Sequence, residues 1–80
     1  MQLETVAGLV GGIWEHSTGV STDVEQDEMF VIIAGRGRIV LDDGSVLELR
    51  PGTVGVLRAG EVTRWEIDEP LRKVWFAADA

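Results

Sequence analysis

The stretch DEMFVIIAGRGRIVLDDGSVLELRPG, Asp27 to Gly52, decides the fold. Its apolar residues come in short runs rich in Val and Ile, without the spacing of one helix face. β-Branched side chains pack well on a pleated surface and lose rotamer freedom in a helix, so these runs read as strands. Met29–Ala34 is the first, Arg38–Leu41 the second and Val46–Leu49 the third. Gly35-Arg36-Gly37 lies between the first two and permits a sharp reversal or a bulge. Asp42-Asp43-Gly44 lies between the second and third and is a hairpin signal, because glycine tolerates a positive φ at the tip. Pro51-Gly52 then closes the third run, since proline cannot donate to a ladder.

The same pattern continues on both sides. Leu9–Glu15, Ser21–Val24, Val54–Leu57, Thr63–Ile67 and Arg72–Phe76 read as further strands. Ala59-Gly60 marks a turn, and Glu69-Pro70 reads as the end of the penultimate strand. The first few residues and Ala77–Ala80 read as loose ends, and Ser17, Ser21 and Ser45 as turn residues. Short strands at close spacing with turn residues between them predict an all-β sandwich or barrel. Alternation places Thr63, Trp65 and Ile67 on one face, with Arg64 and Glu66 as a surface charge pair on the other. By the same rule Leu71, Lys73 and Trp75 oppose Arg72, Val74 and Phe76. Met29–Ala34 is apolar on both faces, which predicts one face toward the interior and the other covered by an extra strand or a second subunit. A homodimer is the expected assembly.

Composition bounds the remaining possibilities. Eighty residues make one domain, 1–80, with a core over about 12–76. The chain has no cysteine, so neither disulfides nor a Cys-based zinc site supports it. No apolar run approaches a membrane span, and no basic residue precedes an apolar stretch at the N-terminus, so a cytoplasmic protein away from membranes is expected. The net charge is −7, from 14 acidic and 7 basic residues. Residues 1 to 35 hold six acids and no Lys or Arg. Such a chain repels phosphate backbones, which argues against nucleic acid as a partner. Acidity serves solubility, and it also suits a site for a small polar or cationic metabolite.

The order of these elements resembles that of the cupins, and within them the small single-domain group related to ureidoglycine aminohydrolase and the ethanolamine-utilisation cupins, a DUF861-like set. The residues that carry the resemblance run from Gly12 to Phe76. They are Gly12-Ile13-Trp14-Glu15 with Gly19, the Asp27–Gly35 run, Asp43-Gly44, Pro51-Gly52-Thr53, Arg58-Ala59-Gly60, Thr63-Arg64-Trp65-Glu66 and Glu69–Val74. The resemblance implies a single-domain, jelly-roll-like β-barrel of two antiparallel sheets, commonly dimeric. It also implies a metal held by histidines and a glutamate. In this chain Glu28 and Gly35 match the glutamate and glycine of the first cupin motif, and Pro51, Gly52 and Gly60 match the second. The histidine positions fall around Thr22 and Val24 in the first motif and at Thr63 in the second. All three imidazoles are therefore missing. One carboxylate and a hydroxyl are a poor set for a transition metal, which needs imidazole or thiolate donors. No metal and no cofactor are expected.

The candidate ligand-binding residues are Glu28, Thr63, Trp65 and Trp14. Glu28 would present a carboxylate at the wall or mouth of the barrel, and otherwise sits solvated at a strand start. Thr63 stands at a ligand position of the resembled motif, and Trp65 shares its face. Trp14 and Trp65 offer flat surfaces for a planar or cationic group, while Trp75 reads as core. His16, the only histidine, reads as an exposed residue in the turn Glu15–Gly19. Arg72 and Lys73 read as solvated or interface charges. No nucleophile–base set can be assembled, so no catalytic residue is assigned. The function expected is a metal-free small-molecule-binding domain with a binding or assembly role. The alternative is a small enzyme acting on an amine or ureido compound with Glu28 as acid/base. A purely structural subunit is the third reading.

Overall fold

Two long strands organise the molecule. In the computed structural model, which describes residues 2–6 and 8–78 and side chains from Gly8 onward, seven strands form one antiparallel network. They are β1 (Gln2–Val6), β2 (Leu9–His16), β3 (Gly19–Val24), β4 (Glu28–Leu41), β5 (Val46–Leu49), β6 (Val54–Leu57) and β7 (Val62–Ala78). No helix interrupts them, and among the described residues no helix is long and apolar enough to cross a membrane. β4 and β7 pair along nearly their whole lengths. The first half of β4 also pairs with β6, and the second half with β5. The last part of β7 pairs with β2, which carries β1, and the first part pairs with β3.

This ribbon folds so that its two halves face each other. Phe30, Ile32 and Leu57 come from one half, and Ile39, Leu49, Trp65 and Ile67 from the other; with Leu71 they form a single buried cluster. The all-β, antiparallel expectation therefore holds, with the strands joined in one connected sheet. The expected strand boundaries need correction at two places. Met29–Ala34 and Arg38–Leu41 are one strand, and so are Thr63–Ile67 and Arg72–Phe76. The ladder between β4 and β7 shifts register at Ile32/Ala34, Ala34/Arg36 and Arg36/Gly37. So Gly35-Arg36-Gly37 is the bulge and not a reversal. Gly35 has φ +90°, and a Cβ there would collide with the Pro70 carbonyl, so only glycine allows the two backbones to approach this closely. The bulge changes which residues face inward: Phe30 and Ile32 are buried before it, and Gly37 and Ile39 after it. That change of parity is why one strand reads as two.

Pro70 does not end β7, contrary to expectation. It lies opposite the bulge, where the paired residues step from Arg36↔Glu69 to Ala34↔Arg72. A ladder already interrupted there loses nothing from a missing N–H. The expected hairpin at Asp42–Gly44 is present: Gly44 N–H donates to Leu41 O at 2.9 Å and Leu41 N–H to Ser45 O at 2.9 Å. Gly44 takes φ +87° at the tip. The N-terminal residues expected to be loose form β1, and Ala77 and Ala78 extend β7; Asp79 and Ala80 fall outside the described residues. Ser21 is not a turn residue but a member of β3.

The outward faces of the two halves differ. Around the first half of β4, Met29, Val54, Val56 and Phe76 are each about half exposed, with Val31 and Val74 between them. Around the second half, Arg38, Glu48, Arg64 and Glu66 project outward as ion pairs. The two-sided apolar character expected of Met29–Ile33 is thus a real face of the sheet.

Candidate functional site

The inward side chains of β7 set the floor of the site. Strand alternation puts Thr63, Trp65, Lys73 and Trp75 on one face, and the register adds Trp14 of β2 opposite Lys73 and Phe30 of β4 opposite Trp75. Glu28 begins β4 on the same face as Phe30. A segment from Glu25 to Asp27 links β3 to β4 and closes one side. It is pinned by Glu25 N–H to Glu61 O at 2.8 Å, by Gly60 N–H to Glu25 O at 2.9 Å and by Ala59 N–H to Asp27 Oδ1 at 2.8 Å. Together these groups enclose an open cleft of about 760 Å³, walled by Trp14, Trp65 and Trp75 and edged by Asp23, Glu25, Asp27 and Glu28.

Two buried polar arrangements occupy the inner end. In the first, Lys73 reaches in from β7, its side chain only 5% exposed, and its Nζ lies 2.5 Å from Glu28 Oε2. The same ammonium sits 4.7 Å from the Trp65 ring centroid, 4.8 Å from Trp14 and 5.0 Å from Phe30. Aromatic faces carry negative charge density, so three rings and a carboxylate stabilise a cation taken out of water. In the second arrangement, Glu25 is buried and accepts from Thr63 Oγ1 at 2.6 Å and from Trp65 Nε1 at 3.1 Å. The indole N–H also lies 3.1 Å from Thr63 Oγ1 and is shared between the two oxygens. Among the described residues no buried side-chain nitrogen or oxygen lacks a partner, as expected where each unpaired one costs about 1–3 kcal/mol.

The four residues singled out from sequence take different places here. Glu28, Trp65 and Trp14 line the cleft. Thr63 is fully buried behind it and touches the cleft through Glu25. Glu28 is not solvated at a strand end; its side chain is 17% exposed and paired with Lys73. Lys73 itself is the main correction, being buried where a solvated charge is expected. Glu25 is a site residue that sequence reasoning misses altogether. The signal for Lys73 is present in its alternation with Leu71 and Trp75, but a lysine at an inward position is normally read as a surface residue. His16 also departs from expectation. It ends β2 half-buried, its Nδ1 donating to Ser17 O at 2.5 Å and its Nε2 standing 2.7 Å from Ser21 Oγ. Trp75 packs against the core as expected and also borders the cleft.

The metal implied by the resemblance does not fit these residues. Val24 is 61% exposed, and Thr22 is exposed beside it. Their β3 neighbours Ser21 and Asp23 pair with Trp65 and Thr63, and Ser21, Thr22 and Asp23 all border the cleft. None of them brings an imidazole to the site. Among the described residues no three histidines, cysteines or carboxylates stand close enough to share an ion. An ammonium already holds Glu28, and a cation so placed repels a second one.

Comparison with known proteins agrees with this architecture. The sequence matches the EutQ-like cupin domain family over residues 5–75, and the chain belongs to that family. Its fold is similar to that of an ethanolamine utilization protein EutQ from Salmonella typhimurium, at TM-score 0.84 and 16% identity, with 99% of this chain and 67% of that one covered. It is similar to EutQ from Clostridium difficile at TM-score 0.85 and 18% identity, with 98% and 64% covered. It is also similar to a DUF861 family protein from Thermotoga maritima at TM-score 0.74 and 25% identity, with 80% and 74% covered. The chain thus spans about two thirds of the two EutQ chains. None of the curated proteins matches it in sequence.

Proposed function

We propose that this cupin domain binds a small polar molecule carrying a cationic amine. The observation that supports this is the charge around the cleft. Asp23, Glu25, Asp27 and Glu28 border it with Lys73 as the one basic residue among its lining. Four carboxylates against one ammonium leave the mouth negative, and field lines concentrate in a cleft with apolar walls. Trp14, Trp65 and Trp75 supply flat surfaces against which an alkylammonium or a planar group can pack. Asp23 and Asp27 at the mouth meet the amine in this reading, Glu28 acts through the Lys73 ammonium it holds, and Thr63 is a positioning residue that holds Glu25. Glu28 and Lys73 are engaged with each other, and Glu25 with Thr63 and Trp65, so binding is favoured over catalysis. The enzymatic alternative, with Glu28 as acid/base, would require the carboxylate to leave Lys73 during the reaction.

Tryptophan fluorescence tests this directly, because three indoles border the cleft. Ethanolamine and choline are the cationic probes, and acetate and ethylene glycol the anionic and neutral controls. Saturable quenching by an amine, weakened by Asp27→Asn, supports the reading. Preference for acetate over both amines overturns it. Equal amine binding by wild type and Asp27→Asn removes the mouth carboxylate from the site.

The outer apolar face supports a second element, pairing with another copy of the chain. Met29, Val54, Val56 and Phe76 form its exposed centre, and the Glu15–Arg72 ion pair lies at its rim. An uncharged centre with a polar rim is the usual anatomy of a protein interface. A two-fold axis lets one such patch cover its own copy. Light scattering at micromolar concentration should give the dimer mass, and Met29→Lys should return the monomer.

A further inference from the structure

We propose that the Lys73 ammonium is the resident cation of this cleft, taking the role of a metal ion at Glu28 and excluding transition metals from it. This inference is independent of which ligand fills the cleft. It rests on three observations that converge on one atom. Lys73 Nζ lies 2.5 Å from Glu28 Oε2. It is surrounded at 4.7 to 5.0 Å by the rings of Trp65, Trp14 and Phe30. The residue is only 4% exposed, and the exposed fraction borders the cleft.

The chemistry follows from those distances. Glu28 is the one residue of the expected metal set that this chain retains. Its carboxylate is taken by a covalently tethered cation that cannot diffuse away. A divalent ion approaching Glu28 would have to displace that ammonium or sit beside it, and the closest groups on the far side are aromatic rings with no lone pair in their plane to offer. The second carboxylate, Glu25, is also engaged, accepting from Thr63 Oγ1 and Trp65 Nε1. What remains is an ammonium whose charge Glu28 balances, bordering an aromatic-walled cleft. Such a group can donate to an oxygen of a bound molecule without an exchangeable ion, so the site does not depend on metal supply.

The test uses Zn²⁺ as the probe, with metal-stripped protein and equilibrium dialysis. Wild type is expected to take up no stoichiometric Zn²⁺ at micromolar free metal, and the ¹⁵Nζ resonance of Lys73 is expected to stay unmoved as Zn²⁺ is added. Lys73→His exchanges the ammonium for an imidazole beside Glu28. It should gain one equivalent of Zn²⁺, at least about tenfold tighter than any binding by wild type. Adding Glu28→Gln to that variant should abolish the gain. One equivalent bound tightly by wild type, with a shift of the Lys73 resonance, would overturn the proposal. So would a folded Lys73→His protein that binds Zn²⁺ no better than wild type. Circular dichroism establishes that the variants fold, and the wild-type measurement stands whether or not they do.

Discussion

The inner and outer charges of this domain are built from the same chemistry and behave differently. Inside, one lysine meets one glutamate, with side chains 5% and 17% exposed. Outside, Arg38 reaches Glu66 at 3.3 Å, Asp68 at 2.5 Å and Glu48 at 4.0 Å, and Arg64 reaches Glu66 at 2.5 Å. The outer network has more pairs. Its members are nonetheless 21% to 62% exposed, so water and salt screen them. The inner pair has lost most of its hydration and depends on each partner for compensation. Number of ion pairs is therefore a poor guide to their weight. The inner pair fixes the geometry of the cleft, and the outer network decorates a face of the sheet that would tolerate other polar residues.

The sharpest way to break that contrast is to remove one inner partner. Lys73→Met keeps an unbranched apolar side chain, one atom shorter, and deletes its charge, leaving Glu28 without compensation. A destabilisation of about 3 kcal/mol is expected, at the low end for buried pairs because Glu28 retains some solvent contact. Glu28→Gln combined with Lys73→Met removes both charges and should recover most of the loss. Urea unfolding reads both values. If Lys73→Met unfolds at the wild-type midpoint, the inner pair carries no more weight than the outer one.

A smaller effect is expected at Glu25. Glu25→Gln keeps an oxygen to accept from Thr63 and Trp65 but removes the charge that strengthens both bonds. The amide also brings an N–H₂ group that has no assigned acceptor. About 1 to 2 kcal/mol should be lost, with little dependence on added salt. Arg38→Gln on the outer face should cost less than Glu25→Gln and should become neutral at high salt. Equal salt dependence for the two variants would show that Glu25 is wetter than its burial implies.

Sequence reasoning reaches the fold more readily than the site, and particular residues show why. Turn chemistry at Asp42–Gly44 and Pro51-Gly52 is local, and it places β5 and β6 at their observed bounds. The inward set Thr63, Trp65 and Ile67 follows from alternation and is buried as expected. Alternation fails at Gly35–Gly37, where a bulge changes parity, and so one strand reads as two. The site depends on contacts between residues far apart in the chain. Thr63 meets Glu25 across 38 positions and Lys73 meets Glu28 across 45, and no periodicity links either pair. Glu28 is legible because a motif with fixed spacing marks it. Lys73 is not, because its burial depends on three aromatic rings that only the folded chain brings together.

The smallest expected effect concerns pH and the outer network. Hydrogen bonds from Arg64, and then from Arg38, hold the Glu66 carboxyl below its ordinary value. A carboxylate whose folded pKa is depressed binds protons less readily in the folded state than in the unfolded one. Its contribution to stability is therefore fully present above the unfolded value, about pH 4.3, and is lost as pH falls from there through the folded value. Asp43 follows the same sign, its carboxyl lowered first by the Ser45 hydroxyl and then by the Ser45 backbone N–H. Glu66→Gln removes one titrating group from that window. The variant should match wild type in its response to pH above about 5 and should lose less stability than wild type between about pH 4.3 and pH 3. Thermal unfolding across that range, at low and high salt, measures the difference. Salt should shrink it, since the arginines that lower Glu66 are about one third to more than one half exposed. A difference that persists undiminished in high salt would mean that the outer network is shielded from solvent, and the contrast between the two faces would have to be redrawn.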